Sequence, residues 1–580
     1  MSFVVLLVNL LTLAIQALSY SEENPSILRA RAQSVVECLS SKGVQYSVST
    51  SSDWKQLIAP YNLRLVFIPA VVTLPTTSQH VSDSVVCAAA SDLKVQAKSG
   101  GHSYASFAYG GKDGHLVVNL QYLQTVKLDT TTNIATVGGG VRLGNLALGI
   151  YNQGKRALPH GTCLGVGVGG HFLHGGYGHS SRAWGLSLDT IVALDVVLAN
   201  GTLIQASTSS HPDIFFAMRG AGDSFGIVTN FYLQTKPAPT SVINFSVDIP
   251  AVYEDIPSLT NAFLELQKTV FDPAIVNGNL SFGIYTEGRA FNFAGWCIDC
   301  DVDDFKSVTL PAILKGFPRP ESTTITPANW TASLRSIAGN ANLQQPITGY
   351  DEHDTFYVKS VVSKTDIPLT AASLTSFFTY IVNQGRNSPS PWFSIINLYG
   401  GAGSQINIPA AGTSAYSKRD TLWVFQNYGY ASKGQSYDPA TTTFIDNLNR
   451  ALTDAQPDGE FTAYLNYIDP ELTQADVMKL YYGSSTYNKL VQIKNSIDPN
   501  NVFWNPQAIT ATLSSGSIPQ NSSSSTSRPT SSSTTNPASS PTTVIIRSAT
   551  AVQALVGVEP RQHIVEQDAS RGMGAVSAGN

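Results

Sequence analysis

The chain contains 580 residues, of which 43% are hydrophobic, 9% aromatic and 13% charged, and its formal net charge is −5. This apolar content excludes a chain that is disordered over most of its length, because buried surface can offset chain entropy. The acidic balance disfavours a nucleic-acid binder, and five cysteines are too few for a disulfide-stapled scaffold of this size.

The N-terminus predicts an export signal. Residues 3–18 form an uncharged apolar run and Ala17-Leu18-Ser19 fits a cleavage site, so we interpret residues 1–19 as a signal peptide. The run is short for a membrane span, which needs about 20 residues, although an uncleaved anchor stays open. Glycosylation sequons also predict a secreted, N-glycosylated protein with no membrane span after cleavage. They begin at Asn200, Asn244, Asn279, Asn329 and Asn521.

Strands and helices are predicted to alternate along the first part of the chain. Residues 20–60 indicate helix, residues 66–69 a short strand, and residues 81–90 a helix. Glycine-rich turns separate the strands that follow, and Asn200-Gly201 indicates a hairpin. Those strands are expected at 95–97, 116–118, 134–137 and 190–198.

The later part of the chain changes character twice. Residues 241–465 alternate strand and helix patterns with few glycine-rich turns, which indicates a separate α+β domain, and residues 471–510 return to helix. Residues 513–544 are mostly Ser, Thr, Pro and Asn, which is typical of an extended, O-glycosylated stalk. Residues 545–580 form a tail of unknown role without the apolar end that a lipid anchor requires.

Cysteines of an exported protein tend to pair. Cys38 and Cys87 could tie the N-terminal helix to the first α/β unit. Cys297 and Cys300 form a CxxC sequence without a second CxxC or a nearby His, so we expect no metal site; a strained disulfide and two free thiols both stay open. Cys163 is then the odd cysteine, and an odd cysteine in a secreted protein needs an explanation.

Four glycine-rich segments lie between residues 98 and 229. Glycine lets backbone N–H groups approach a phosphate or a flat ring closely. A literal G-x-G-x-x-G inside the third segment is not a Rossmann signature, because no hydrophobic strand precedes it. One such segment alone could be a turn, but four together predict a large phosphate-bearing cofactor held by several loops. The segments span residues 98–104, 137–146, 159–178 and 219–229.

These segments and several later ones carry a family resemblance. SGGHSY, PHGTCLGVGVGGH, RGAGDSFGIVT, LYGG, YLNYIDPEL and FWNPQ resemble the berberine-bridge-enzyme-like FAD-linked oxidases, and within them the fungal gluco- and chito-oligosaccharide oxidases. The resemblance implies an α+β fold with a two-part PCMH-type FAD-binding domain at 25–240 and 471–510. It implies a substrate domain at 241–470, with an antiparallel sheet and covering helices.

The resemblance also implies a covalently held cofactor. In the family, the histidine of SGGHSY and the cysteine of the GTC motif both bond FAD, which places bicovalent FAD on His102 and Cys163 and accounts for the odd cysteine. The other cofactor contacts that it implies are Ser99, Gly100, Gly101, Ser103, Tyr104, Thr162, Gly167, Gly169, Gly170, His171, Gly175, Ile227 and Val228.

On the substrate side, the YxNYxD motif implies that Tyr467 is the catalytic base, with Tyr464 in reserve. In sugar-oxidising relatives an aspartate precedes LYGG, but Asn397 stands there in this chain and cannot accept a proton as a carboxylate does. Gln426 matches a polar active-site position of the family. As single residues, Asn397 and Gln426 are equally compatible with satisfied polar groups of strands.

The implied protein is a secreted, monomeric FAD-dependent oxidase. A hydride would pass from an alcohol or lactol carbon to the flavin and the electrons to O2, giving H2O2, with oligosaccharides as candidate substrates. Two alternatives stay open. One is the same chemistry on a fungal polyketide or alkaloid, which the Asn397 departure favours, and the other is a non-catalytic surface flavoprotein.

Overall fold

The computed structural model describes residues 25–511, with side chains from residue 30 onward. The predicted signal peptide, the Ser/Thr-rich stalk, the tail and the Asn521 sequon lie outside the described residues. Within residues 25–511, no helix is both long enough and apolar enough to cross a membrane.

Strands and helices alternate along the described chain. The strands are Tyr46–Ser47 (β1), Val71–Thr73 (β2), Val95–Lys98 (β3), Leu116–Asn119 (β4), Val126–Asp129 (β5), Ile134–Gly138 (β6), Arg156–Ala157 (β7), Ile191–Val197 (β8), Leu203–Ser207 (β9), Ile227–Gln234 (β10), Lys236–Pro237 (β11), Val242–Asp248 (β12), Leu280–Thr286 (β13), Phe291–Ile298 (β14), Ser322–Ala328 (β15), Phe356–Lys364 (β16), Trp392–Leu398 (β17) and Thr421–Tyr430 (β18). The helices are Pro25–Ser41 (α1), Trp54–Leu57 (α2), Ser78–Ala90 (α3), Leu143–Gly154 (α4), Val168–Leu173 (α5), Ser181–Trp184 (α6), Pro212–Ala221 (α7), Ile256–Thr269 (α8), Val302–Asp304 (α9), Leu310–Ile313 (α10), Trp330–Ile337 (α11), Ala371–Asn383 (α12), Ala440–Thr453 (α13), Gln474–Val477 (α14) and Ser484–Ile497 (α15).

The first part of the chain forms two sheets. In the sheet β1-β2-β4-β3, β4 pairs parallel with both β2 and β3. A parallel arrangement needs a crossover connection, which α3 supplies between β2 and β3. The second sheet is antiparallel, in the order β5-β6-β10-β8-β9. Glycine-rich loops that connect strands of the two sheets lie close to one another, so several of them can line one site.

The predicted strand at residues 66–69 is wrong. Pairing begins at Val71, which lies opposite Leu116. Val66 and Ile68 are 52% and 44% exposed, and the Ile68 N–H donates to the Asp113 carboxylate at 2.7 Å rather than to a strand. Apolar, β-branched residues gave the strand pattern; the Ile68 carbonyl does accept from the Gly114 N–H at 2.9 Å, but continuous strand pairing starts only at Val71.

The second half is built on a seven-stranded antiparallel sheet, β15-β12-β14-β13-β17-β18-β16. One face packs against α8, α12 and α13 through a buried core that includes Phe282, Phe378 and Trp423. Burying each such side chain contributes about 1.5–3 kcal/mol. Phe393 and Tyr428 lie on the opposite face, in one cluster with Tyr61 of the first half. The α+β architecture expected from the sequence is confirmed.

The end of the described chain returns to the first half. The Val95 N–H donates to the Val502 carbonyl at 2.8 Å, so residues after α15 extend the edge of the first sheet at β3. A disulfide between Cys38 and Cys87 joins α1 to α3, as the sequence suggested. Cys297 and Cys300 are also bonded to each other.

Candidate active site

A cavity of about 230 Å³ lies where the glycine-rich connections meet. Its walls come from residues 99–104 after β3, from Val166, Gly167 and residues 169–171 around α5, from residues 226–228 at the start of β10, and from Leu465, Asn466 and Ile468, but not from Tyr467. All of the expected cofactor residues line it except Thr162 and Gly175. The structure therefore brings together loops that lie up to about 370 positions apart along the chain.

Glycine brings two of these loops into backbone contact. A Cβ atom built on Gly100 would lie 2.2 Å from the Gly167 nitrogen, and one built on Gly167 would lie 2.0 Å from the Gly100 nitrogen. No side chain fits at either position, so the His102 loop and the Cys163 segment lie directly against each other. Gly170 has no atom within 4 Å of where a Cβ would stand, which leaves open space beside its backbone for a flat or phosphate-bearing ligand.

The glycines at 138–140 have another role. They do not line the cavity; Cβ atoms built on Gly138 and Gly140 would lie 2.2 Å and 1.8 Å from the carbonyl oxygens of Leu123 and Leu120. These glycines are needed for close backbone packing rather than for a phosphate. The sequence could not separate the two uses, because both require the absence of a side chain.

His102 and Cys163 line the same cavity. The His102 ring stacks on Tyr61 with 4.4 Å between ring centroids, and its Nε2 lies 3.0 Å from the Tyr350 hydroxyl. Burial lowers the pKa of His102 to about 3, with further lowering by the charge of Arg142. The imidazole is therefore neutral at physiological pH, and Cys163 is half-buried and belongs to neither disulfide.

Tyr104 connects the cavity to the substrate-side residues. Its ring lies parallel to that of Tyr467 with 6.0 Å between centroids, and its hydroxyl accepts a hydrogen bond from Gln426 Nε2 at 3.1 Å. Burial, and then the charges of Tyr104 and Tyr464, raise the pKa of Tyr467 well above its ordinary value. In this environment the Tyr467 phenol keeps its proton at neutral pH.

The reserve candidate, Tyr464, has a different environment. Its hydroxyl accepts hydrogen bonds from the N–H groups of Gly176 and Tyr177 at 3.0 and 3.1 Å, and from Asn466 Nδ2 at 3.1 Å. Gly175 packs against the Tyr464 ring instead of lining the cavity; a Cβ there would lie 2.9 Å from Cε2. The Tyr464 hydroxyl is thus occupied by the N–H groups of the Gly176-Tyr177 turn, which it stabilises. By contrast, none of the described residues forms a hydrogen bond with the Tyr467 hydroxyl.

Asn397 and Gln426 lie on the same face of the seven-stranded sheet, since Asn397 pairs with Val424, two positions from Gln426. Neither lines the cavity. Asn397 is 4% exposed and its Oδ1 has no hydrogen-bond partner among the described residues. Gly283 on the neighbouring strand leaves room for it, because a Cβ there would lie 2.7 Å from this oxygen. Within residues 25–511, no hydrogen bond joins Asn397 to Tyr467.

An ion pair in the cavity wall was not foreseen from the sequence. His174 Nε2 lies 3.2 Å from Asp223 Oδ1, and both residues line the cavity. Burial opposes the charge of His174, but the charge and hydrogen bond of Asp223 outweigh burial and raise the His174 pKa. Asn505 donates to the other Asp223 oxygen at 2.8 Å. These residues flank or lie within recognisable motifs, yet the motifs do not show which of them meet.

A second cavity of about 200 Å³ shares Tyr61 and residues 99–102 with the first. Lys98, Arg142, Tyr350 and Glu352 also line it. Burial and the charge of Arg142 lower the pKa of Lys98 to about 7. Tyr350 and Glu352 come from the second half of the chain and belong to no motif, so nothing local in the sequence marks them.

Two protein families match the chain. The family described as FAD binding domain matches residues 69–207, and the family described as berberine and berberine like matches residues 463–510. The xylooligosaccharide oxidase of Thermothelomyces thermophilus is 35% identical over 86% of this chain and 98% of its own length. The chitooligosaccharide oxidase of Gibberella zeae is 34% identical over 83% of this chain and 96% of its own length.

Solved structures of similar proteins share this fold. The xylooligosaccharide oxidase from Myceliophthora thermophila in complex with xylobiose has a TM-score of 0.77 at 34% identity, covering 82% of this chain and 99% of its own. The glucooligosaccharide oxidase from Acremonium strictum, with a 6-S-cysteinyl, 8α-N1-histidyl FAD, has a TM-score of 0.76 at 29% identity. The latter match covers 83% of this chain and 99% of the other.

Proposed function

Because the chain belongs to the berberine-bridge-enzyme-like FAD-linked oxidases, we propose that it oxidises the reducing-end lactol of an oligosaccharide with FAD bonded to both His102 and Cys163. Its relatives are named as oxidases of oligosaccharides, an FAD binding domain matches residues 69–207, and the chain is an FAD-linked oxidoreductase that acts on CH–OH groups. These relatives do not favour the polyketide or alkaloid alternative.

The observation that carries this proposal is that His102 and Cys163 line one cavity, on loops that touch through Gly100 and Gly167. A neutral imidazole has a nitrogen lone pair for a bond to carbon, and a cysteine supplies sulfur. The open backbone at Gly170 fits a cofactor with phosphates. Two bonds from adjoining loops would fix the orientation of the flavin relative to Tyr104 and Tyr467.

Tyr467 is the proposed base for the hydroxyl proton of the substrate. Its hydroxyl has no competing hydrogen bond from the described residues, and Tyr104, held by Gln426, lies parallel to its ring. Bound FAD supplies the hydride acceptor and passes the electrons to dioxygen, which gives hydrogen peroxide. Because the Tyr467 pKa is raised in the protein alone, we expect proton transfer to Tyr467 to depend on the substrate and cofactor being in place.

We further propose a secreted monomer whose glycans are on Asn200 and Asn279, two sequon residues that are exposed. Asn244 does not suit a glycan, because its Nδ2 already donates to the Thr326 carbonyl and the Ser333 hydroxyl. Asn329 is exposed as well, and although its Oδ1 caps α11 by accepting from the Ala332 N–H at 3.0 Å, this bond does not use the Nδ2 to which a glycan is attached, so we propose a glycan there too. The sequon pattern alone cannot separate exposed asparagines from those used inside the fold.

Acid precipitation of the purified protein tests the cofactor linkage. We expect the flavin to stay with the pellet in the parent and in each of His102→Ala and Cys163→Ala, and to be released when both are replaced. Peroxide release is then measured with xylo-, chito- and gluco-oligosaccharides and with aromatic alcohols. Free FAD from the parent protein would contradict the linkage, and peroxide from aromatic alcohols alone would contradict the substrate class.

A further inference from the structure

His102 is the first member of a hydrogen-bonded series that crosses between the two halves of the molecule. Its Nε2 lies 3.0 Å from the Tyr350 hydroxyl, and that hydroxyl donates to the Glu352 carboxylate. Tyr350 and Glu352 precede β16 and are 248 and 250 positions from His102 in the chain. Such a connection is unexpected for a histidine whose only role is to fill space.

The direction of these hydrogen bonds fixes the tautomer of His102. A hydroxyl has one proton, and Tyr350 gives its proton to the carboxylate, which can only accept. Toward His102 the Tyr350 oxygen must therefore accept, so Nε2 carries the ring proton. The lone pair is then on Nδ1, which makes no hydrogen bond with any residue in the described range.

The Tyr350 ring is held firmly in this position. The Arg142 guanidinium lies 3.8 Å from the ring centroid and also donates to the Gly100 carbonyl at 3.1 Å. A Cβ on Gly165 would lie 1.9 Å from the Tyr350 hydroxyl, so only glycine lets Tyr350 reach His102 past the Cys163 segment. The other contact of the imidazole is the ring of Tyr61.

We propose that Tyr350 and Glu352 are positioning residues for the covalent attachment of FAD to His102: they present Nδ1 as the nucleophile and receive the Nε2 proton. This inference rests on the proposed function, which places FAD on His102. It goes beyond that function by assigning two residues of the second half to the maturation of the enzyme rather than to turnover.

The attachment step couples His102 to the flavin by an oxidation in which dioxygen is the oxidant. A bond forms between Nδ1 and the 8-methyl carbon of the flavin, and a C–H bond of that methyl group breaks. The electron pair is taken up by the isoalloxazine ring and is returned to dioxygen. Nε2 gives its proton to the Tyr350 oxygen as Tyr350 passes its own to Glu352. The two hydrogens and two electrons that are lost leave as one hydrogen peroxide.

The second cavity gives this proton a way out, since Glu352 lines it together with Lys98 and Arg142. Loss of a proton from Nε2 is favoured here because burial and the cations nearby disfavour a charged imidazole. The titratable and charged groups that face the series are Arg142, Lys98, His353, Asp53, Tyr61 and Cys163.

The test uses Cys163→Ala protein, in which His102 is the single remaining attachment site, prepared without flavin and then mixed with FAD in air. Attachment is followed by intact mass and by flavin fluorescence on denaturing gels. We expect Tyr350→Phe and Glu352→Gln each to slow attachment about tenfold or more, with unchanged melting temperatures. Asp351→Asn, on the same loop, changes an exposed carboxylate that lies 3.2 Å from His353 Nε2 and forms no hydrogen bond with Tyr350 or Glu352 within residues 25–511, and this variant should attach FAD at the parent rate.

Rescue by a shorter carboxylate separates a proton role from a purely structural one. Glu352→Gln should slow attachment at every pH tested, whereas Glu352→Asp, which keeps a proton acceptor, should restore part of the parent rate. Burial lowers the pKa of Lys98 to about 7, but Lys98 is present in all of these proteins, so any pH dependence that it causes is common to them. Equal rates and profiles in parent and variants would overturn the inference alone. Absence of covalent flavin in the Cys163→Ala protein would overturn both the inference and the proposed linkage.

Discussion

The two tyrosines of the YxNYxD motif lie three positions apart, yet their hydroxyls have opposite surroundings. The Tyr464 hydroxyl accepts from three N–H donors, whereas the Tyr467 ring stacks on Tyr104, which lines the cavity. The motif predicts that one of them is a base but does not say which hydroxyl is free. That choice depends on Gly175-Gly176, which folds back on the motif from almost 300 positions earlier.

Tyr467→Phe should lower kcat by about 10²–10⁴-fold, because a general base typically contributes that much. The melting temperature should change little, since the lost hydroxyl has no partner within residues 25–511. Steady-state peroxide assays and a thermal melt check both expectations.

Tyr464→Phe is the matched control for this substitution. It leaves buried N–H donors without an acceptor and should lower the free energy of unfolding by about 1–3 kcal/mol, with turnover per folded molecule largely kept. A Tyr467→Phe enzyme with the parent kcat would remove the assigned base.

Asn397→Asp should raise the rate of sugar oxidation at neutral pH about tenfold or more, because a carboxylate can accept the proton that the amide cannot. Burial raises the pKa of Tyr467, so the parent rate should still be rising at pH 9. In the variant the profile from pH 5 to 10 should become flatter.

The control for Asn397→Asp is Asn427→Asp, since Asn427 is a buried asparagine on β18 that bonds Ser394 and Asn449. A charge there should destabilise the fold without raising turnover. If Asn397→Asp is no faster than the parent on every sugar tried, Asn397 has no part in proton transfer.

Among the secondary-structure elements, α15 shows how a correct helix prediction can miss the environment of the helix. Lys494 and Asp498 have the i, i+4 spacing of a solvated surface pair, but their side chains are 0% and 1% exposed. Lys494 also donates to the carbonyl of Phe503. Helical periodicity predicts that this segment is a helix. It does not predict that this face of the helix is buried, because the burial comes from packing against the first half of the chain.

Asp498→Asn should lower the free energy of unfolding by about 3–5 kcal/mol, since it leaves the Lys494 ammonium buried without a counter-charge. Chemical denaturation of the flavin-loaded protein measures the change. Lys268→Ala breaks the exposed pair with Glu265 and should cost less than about 1 kcal/mol. Equal effects of the two substitutions would show that the buried charge is not what matters.

At the scale of the whole molecule, the motifs predicted the two-part FAD-binding architecture and the antiparallel sheet of the second half. The order of the seven strands could not be predicted. Hydrophobic alternation predicts that a segment is a strand but not which strand it pairs with, and β16 and β18 pair across about 60 residues of intervening chain. For the same reason the sequence did not indicate that Tyr61, Tyr350 and Glu352 belong to the site, since their contacts join distant parts of the chain.

Removal of residues 513–580 should leave soluble, flavin-loaded and active protein, because a Ser/Thr/Pro tract has too little apolar surface to support a core. Size-exclusion chromatography, the flavin spectrum and peroxide release check this.

A cut after Asn505 is the matched control. It removes Gln507, which donates to the Asp469 carbonyl, and Ile509, whose N–H donates to Ser224 at 3.1 Å. This shorter chain should lose soluble holoenzyme. Loss of holoenzyme in the longer truncation as well would mean that residues beyond 512 support the fold.

The hydrogen bond between Val95 and Val502 has a consequence for biosynthesis. The ribosome makes the first of these residues some 400 positions before the second, which takes about 20–80 s at ordinary elongation rates. During that interval the edge of the first sheet has no partner and the His102 loop has neither Tyr350 nor the returning C-terminal segment beside it. The nascent first half therefore exposes an unpaired strand edge for that time, and we expect flavin attachment to follow release of the chain from the ribosome.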